Sequence, residues 1–170
     1  SKHIANPIQE HSNKVKFINN PGIYPNVDGL ITMNKNIILT LKVADCIPIF
    51  LSNKNGDIFG LIHSGWKGVV NEIIINALNI FIKKNISLDD IIVFLGPSIN
   101  KCCFEVGMDV AGKFSNQFII RKEDKLYIDL KKKVCVDILN FGLSKKNLIL
   151  SDVCTYESNE CFSFRKNKTE

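Results

Sequence analysis

Ile47-Pro48-Ile49-Phe50-Leu51, then Asn55-Gly56, then Asp57 through His63 is the stretch on which the fold turns. The first run is apolar and short, as a buried strand is. Asn-Gly is a hairpin signal, because both central positions of a type I′ turn need positive φ. Residues 57–63 then return as the partner strand. Strands joined by so tight a turn run antiparallel. After Gly65 the pattern changes: Val69, Ile73, Ile74, Ala77, Leu78, Phe81 and Ile82 lie on one face of a helix that ends near Asn85. Upstream, Lys14–Ile18 reads as a strand, Asp28–Thr32 and Ile37–Val43 as extended, with Pro21-Gly22 and Pro25-Asn26 as turns. Downstream come a strand at Ile91–Leu95 broken by Gly96-Pro97, a short helix at Met108–Phe114 and a strand at Leu126–Ile128. A helix over Leu130–Phe141 is closed by Gly142, a strand at Leu148–Leu150 follows, and the last twenty residues read as loop. Strands joined by hairpins and interleaved with helices predict an α+β domain with a mixed sheet, not a doubly wound parallel one.

The chain has 170 residues, 45% hydrophobic and 23% charged. That is an ordinary globular balance for a single domain, residues 1–170, able to bury a core without disulfide or metal staples. The net charge of +5 is spread out. Its densest run, Lys131-Lys132-Lys133, opens an apolar helical pattern and reads as a solvated helix face. No basic stripe with interleaved aromatics points to nucleic acid. No run approaches the roughly 18 apolar residues that span a bilayer, and Ser1-Lys2-His3-Ile4 is no signal segment, so the expected location is cytoplasmic. Six cysteines form no CxxC pair. In a reducing compartment disulfides are not expected. The adjacent Cys102 and Cys103 read as two loosely constrained thiols, and Cys135 as a small packed hydrophobe.

Three segments carry chemistry. In Val43-Ala44-Asp45-Cys46-Ile47-Pro48 a cysteine sits at a strand end beside a carboxylate; a buried free thiol is the competing reading. His63-Ser64-Gly65-Trp66-Lys67-Gly68 lies between a strand and a helix. Its glycines permit a tight turn and a close ligand approach, the helix N-terminus offers free amides, and Lys67 adds a cation. Trp66 reads as a packing anchor. Gln9-Glu10-His11 is unremarkable alone. His11 and His63, with Cys46, make a three-ligand set of the kind zinc accepts in catalytic sites, with a position left open. One thiolate and two neutral imidazoles leave zinc with net positive charge, which acidifies water. The spacing is not itself diagnostic. In the tail, Cys161-Phe162-Ser163-Phe164-Arg165-Lys166 alternates aromatics with a hydroxyl and a cation; Arg165 suits a phosphate or carboxylate, and a short edge strand is the alternative.

Taken together these segments resemble the multicopper polyphenol oxidoreductase, or laccase-domain, family, now regarded as purine nucleoside phosphorylases with adenosine deaminase activity. The matching pieces occur in order: Gln9-Glu10-His11, Val27-Asp28-Gly29-Leu30-Ile31-Thr32, Ala44-Asp45-Cys46-Ile47-Pro48, His63-Ser64-Gly65-Trp66-Lys67-Gly68, Gly96-Pro97-Ser98-Ile99, Phe104-Glu105-Val106-Gly107 and Phe162-Ser163-Phe164-Arg165. The resemblance implies layered mixed sheets packed with helices, similar to the fold of cysteine-hydrolase toxins. It implies His11, Cys46 and His63 as ligands of zinc, with copper as the alternative metal. It implies phosphorolysis of adenosine, inosine, guanosine and methylthioadenosine, and deamination of adenosine by a zinc-activated water. Asp45 or Glu105 would then carry the proton, Cys46 and His63 would act at the reacting centre, and Lys67, the amides after Gly65 and Arg165 would hold phosphate. The chain departs from the family at Lys67, where Arg is frequent, and at Ser98, where many members have Cys. It also begins shortly before the first ligand and stops a few residues early, so a shortened N-terminal segment is expected. Other readings are a copper-dependent phenol oxidase, for which three histidines are few, a zinc-stabilised binding module, and a metal-free cysteine hydrolase built on Cys46 and His63.

Overall fold

The computed structural model describes residues 3–167. Its first half runs Ile4–Ile8 (β1), Val15–Ile18 (β2), Gly22–Pro25 (β3), Gly29–Thr32 (β4), Ile38–Leu39 (β5), Ile47–Asn53 (β6), Phe59–Ser64 (β7), Trp66–Val70 (α1) and Ile73–Lys83 (α2). The second runs Ile91–Leu95 (β8), Glu105–Val106 (β9), Met108–Ala111 (α3), Ile119–Lys122 (β10), Lys125–Ile128 (β11), Leu130–Asn140 (α4) and Leu148–Leu150 (β12). Six strands form one sheet in the order β12-β8-β6-β7-β4-β2. Its outer pairs, β12/β8 and β2/β4, are parallel, and its centre is antiparallel. This is the mixed sheet of an α+β fold.

Helices α1, α2 and α4 supply Val69, Ile73, Leu78, Phe81 and Ile138 to the buried core, opposite Ile49 and Ile62 of the sheet. Burial of each such side chain contributes about 1.5–3 kcal/mol. A small parallel sheet, β3-β1-β5, forms a further layer. Strand β4 is buried at all four positions, with Ile31 in the helix-side core and Leu30 packed with Ala5, Ile18, Val27 and Ile37. A third sheet, β10-β11-β9, lies beyond the Gly96-Pro97 break. No helix among the described residues is long and apolar enough to cross a membrane.

Several expectations need correction. The hairpin turn is not type I′. Pairing runs to Ser52 opposite Phe59, and the Asn53 amide donates to the Ile58 carbonyl (3.1 Å), leaving residues 54–57 as a four-residue loop whose Gly56 amide donates back to the Asn53 carbonyl (3.0 Å). Only Gly56 has positive φ there (69°). The Asn53 side chain accepts from the amides of Asp57 (2.7 Å) and Ile58 (3.3 Å), which stabilises the longer turn. The helix expected from Val69 to Asn85 is two helices, because Glu72 takes a left-handed conformation (φ 57°, ψ 45°) between them. The apolar periodicity passes through this break unaltered. Of Ile37–Val43 only β5 is a strand, and the helix at Met108 ends at Ala111. Strands β1, β3, β9 and β10 were not expected; prolines and asparagines dilute the apolar pattern of the first two. Lys131 is not on a solvated face: it is buried and donates to the Ser151 carbonyl (2.7 Å). Residues 161–166 form no edge strand.

Candidate metal centre

The register of the β6–β7 hairpin brings two ligand types together. Pro48 pairs with His63 and Ile47 with Ser64, so Cys46 lies at the open mouth of the hairpin opposite Gly65. A Cβ on Gly65 would stand 3.0 Å from the Cys46 Sγ and 3.0 Å from the His11 Cδ2. Gly65 itself is extended (φ −77°), so glycine is needed there for close approach and not for backbone freedom.

His11 arrives from the loop after β1. Its backbone takes φ 57°, and its ring meets the His63 ring edge-on at 4.8 Å between centroids. Both features follow from Asp28, whose carboxylate is fully buried just before β4. It accepts from the amides of Glu10, His11 and Ser12, from the Ser12 hydroxyl (2.7 Å), and from the His63 Nδ1 (2.8 Å). Burial alone would raise the Asp28 carboxyl, but the Ser12 hydroxyl, His63 and the loop amides outweigh it and hold it below 3.8. With Nδ1 committed to Asp28, His63 turns Nε2 to the centre. Burial, opposed by Asp28 and helped by His11, keeps the His63 pKa below its ordinary value, so the ring is neutral, as a ligand must be.

The ligand atoms of His11, Cys46 and His63 all lie within 4.8 Å of one another, close enough for a single ion to meet all three. Burial, then the charges of Asp45 and Asp28, push the Cys46 thiol up to about 11. A bare thiolate is unfavourable there, and a cation among these donors would reverse that. The donor set therefore suits a metal ion better than a metal-free Cys–His pair.

His11 and Cys46 open on a cavity of about 180 Å³ that Asp45, Trp66, Phe164 and Arg165 also line, among others. Phe164 and Arg165 also wall a larger cavity of about 920 Å³ that holds Glu105, Lys125 and Tyr127. Asp45 draws the tail over the centre: Thr155 Oγ1 donates to it at 2.7 Å and the Arg165 amide at 3.0 Å. The Arg165 guanidinium lies 5.1 Å from the Phe104 ring and donates to the Glu105 carbonyl. The Glu105 carboxylate faces the other cavity and is paired with Lys125 (3.0 Å). Lys67 is exposed on α1 over the Trp66 ring (5.7 Å) and does not line the smaller cavity. Trp66 both packs against the core and lines that cavity. Sequence reasoning missed Asp28 as the residue that orients the site. The available signal was a carboxylate inside the otherwise apolar run Val27–Ile31.

The chain and its fold of layered mixed sheets match known proteins. The family model described as multi-copper polyphenol oxidoreductase laccase matches residues 1–170, and the chain belongs to that family. Among curated relatives, the purine nucleoside phosphorylase YlmD of Staphylococcus aureus is 32% identical over 180 residues, covering 95% of this chain and 67% of its own length. A purine nucleoside phosphorylase of Aquifex aeolicus is 32% identical over 165 residues, covering 96% of this chain and 77% of its own. Among solved structures, YlmD from Geobacillus stearothermophilus superposes with a TM-score of 0.92 at 24% identity, over 98% of this chain and 69% of that one. The hypothetical protein YfiH of Bacillus licheniformis gives 0.88 at 23%, over 97% and 69%.

Proposed function

We propose that this chain is a zinc-dependent purine nucleoside phosphorylase that also deaminates adenosine, with adenosine, inosine, guanosine and methylthioadenosine as substrates. The observation that carries this is the convergence of His11, Cys46 and His63 beside a cavity, in a chain whose relatives bear the phosphorylase name. Those three residues hold the metal. Zinc bound there supplies a Lewis acid and makes a hydrolytic nucleophile available at neutral pH.

The remaining roles belong to the chain. The smaller cavity takes the purine end, and the larger one, joined through Phe164 and Arg165, takes the rest of the nucleoside and the phosphate. Arg165 holds phosphate while a phosphate oxygen attacks the ribose carbon and the glycosidic bond breaks; Lys67 and the amides after Gly65 add positive potential. Asp45 is the carboxylate at the metal-side cavity and moves the proton to the departing base or ammonia.

The test is to incubate purified zinc-loaded protein with adenosine or inosine, with and without phosphate, and to resolve the products. Free base and ribose 1-phosphate should form only with phosphate, and inosine should form from adenosine without it. Intact nucleosides after incubation with protein of verified metal content would end this reading. Activity that survives complete metal removal would move the chemistry to a Cys46–His63 hydrolase.

A further inference from the structure

Cys102 and Cys103 are not loosely constrained. Their sulfurs lie 3.2 Å apart, and the Cys102 Sγ lies 3.8 Å from the Sγ of Cys154. A Glu157 carboxylate oxygen completes a group whose four ligand atoms are all within 4.8 Å of one another. All three cysteines are free, and these separations are far beyond a disulfide bond of about 2.05 Å. A tetrahedral shell with Zn–S bonds of about 2.3 Å sets sulfurs about 3.8 Å apart, which the Cys102–Cys154 pair already meets and which the Cys102–Cys103 pair reaches by opening about 0.6 Å. We propose that Cys102, Cys103, Cys154 and Glu157 form a second, thiolate-rich metal site, built for a soft divalent ion of the zinc type.

Two segments distant in sequence are built to meet there. Cys102 and Cys103 lie in the turn after Gly96-Pro97, and Cys154 and Glu157 begin the tail. A parallel bridge joins Ser98 to Cys154, the Thr155 amide donates to the Ser98 carbonyl (3.1 Å), and the Asn100 side chain donates to the Asp152 carbonyl (3.0 Å). The Asn100 amide donates to the Cys154 sulfur itself (3.4 Å). Burial would raise the Cys154 thiol, but the amides of Asn100, Glu157 and Tyr156 bring it below its ordinary value. Cys154 and Glu157, three residues apart, thus resemble one arm of a zinc knuckle, in which amides following the first sulfur point back at it.

Three thiols packed only as core would not need a carboxylate or an entrance. Here Glu157 is exposed and Cys102 and Cys103 line the 920 Å³ cavity, so an ion has a route in. On binding, each thiol releases its proton to solvent and each sulfur forms a bond to the ion; no electron is transferred. The buried ammonium of Lys131 lies within the field of Cys154 and offsets part of the excess negative charge. The ion would tie the 100–103 turn to the tail that carries Phe164 and Arg165.

The test uses the full chain, stripped of metal and kept reduced with a phosphine, carrying Cys46→Ala so that the first centre has no sulfur. Cobalt(II) is titrated in while thiolate-to-cobalt charge transfer and the tetrahedral d–d bands are followed. One saturable equivalent with a thiolate band, displaced by zinc, is expected. Adding Glu157→Gln, at an exposed position, should weaken cobalt affinity on the order of tenfold or more, and adding Cys102→Ser should weaken it further and shrink the charge-transfer band. The proposal is overturned if Cys46→Ala, with wild-type circular dichroism, shows no thiolate band, or if the band is indifferent to both added substitutions.

Discussion

A carboxylate that accepts from three consecutive loop amides, a hydroxyl and a histidine ring ties a loop-borne ligand to a strand-borne one. Asp28 does this for His11 and His63. Asp28→Asn puts an amide donor where the ring or loop N–H groups need an acceptor. Zinc affinity should fall by about 10–100-fold, read by competition with a chromophoric chelator. Folding stability should fall by about 3 kcal/mol, the cost of breaking a buried charged network, read by urea denaturation. Undiminished affinity would mean the ring is oriented by packing alone. Ser98 is a different case. Its hydroxyl is fully buried and has no hydrogen-bond partner among the described residues, a defect it shares with Ser64. Ser98→Ala removes an unsatisfied polar group at the cost of a small void, so the urea midpoint should hold or rise, by up to about 1 kcal/mol. A clear loss would show that the hydroxyl has an unrecognised partner.

Between α1 and α2 the chain turns through Glu72 in a conformation that costs a non-glycine residue about 1–2 kcal/mol. The break serves the site. It frees the Asn71 carbonyl to accept from the Asn13 side chain, while Asn76 donates to the Asn13 carbonyl, so the loop carrying His11 is held from the helix side too. Glu72→Gly relieves the strain against a larger entropy loss on folding. A net gain of about 1 kcal/mol is expected in the thermal or urea transition; a loss would mean the 4.0 Å contact of the exposed Glu72 with the partly buried Lys133 matters more than such long ion pairs usually do. Elements with concentrated β-branched or aromatic residues, such as β8 and the β6–β7 hairpin, were legible in the sequence nearly to their ends. The Glu72 break was not, because apolar spacing records which face is buried and not where the backbone leaves the helix. Strands β1 and β3 were not legible either. Pairing with neighbours holds them, and their own residues carry little strand preference.

Across the molecule, Cys46 and His63 stood in segments whose own pattern marked them, whereas His11 was singled out only through the family resemblance, and the convergence of the three depends on partners without sequence signature: loop amides, a lone Asp28, a missing Cβ at Gly65. The core of helices on the six-stranded sheet stands apart from the ligands. Cys46→Ala should therefore abolish zinc binding at this centre while circular dichroism stays unchanged and stability moves by less than about 1.5 kcal/mol; an unfolded variant would make the metal a structural element. The hairpin also bears on the order of events during folding. Residues 47–64 form one hairpin closed by the short loop 54–57, and such hairpins close within about 1–10 μs. Strand β2 lies at the far edge of the sheet and joins through β4, with its pairing dependent on a longer loop. Ile62→Val should accordingly slow refolding, and Ile18→Val should chiefly speed unfolding, in stopped-flow chevrons. Equal φ-values at the two positions would refute that order. On this schedule Cys46 and His63 become neighbours before β2, and with it the adjoining loop that carries His11, is in place. A metal ion present during synthesis in the cell would first meet a half-built, two-point claw, and it would be the late closing of the N-terminal loop that decides which ion stays.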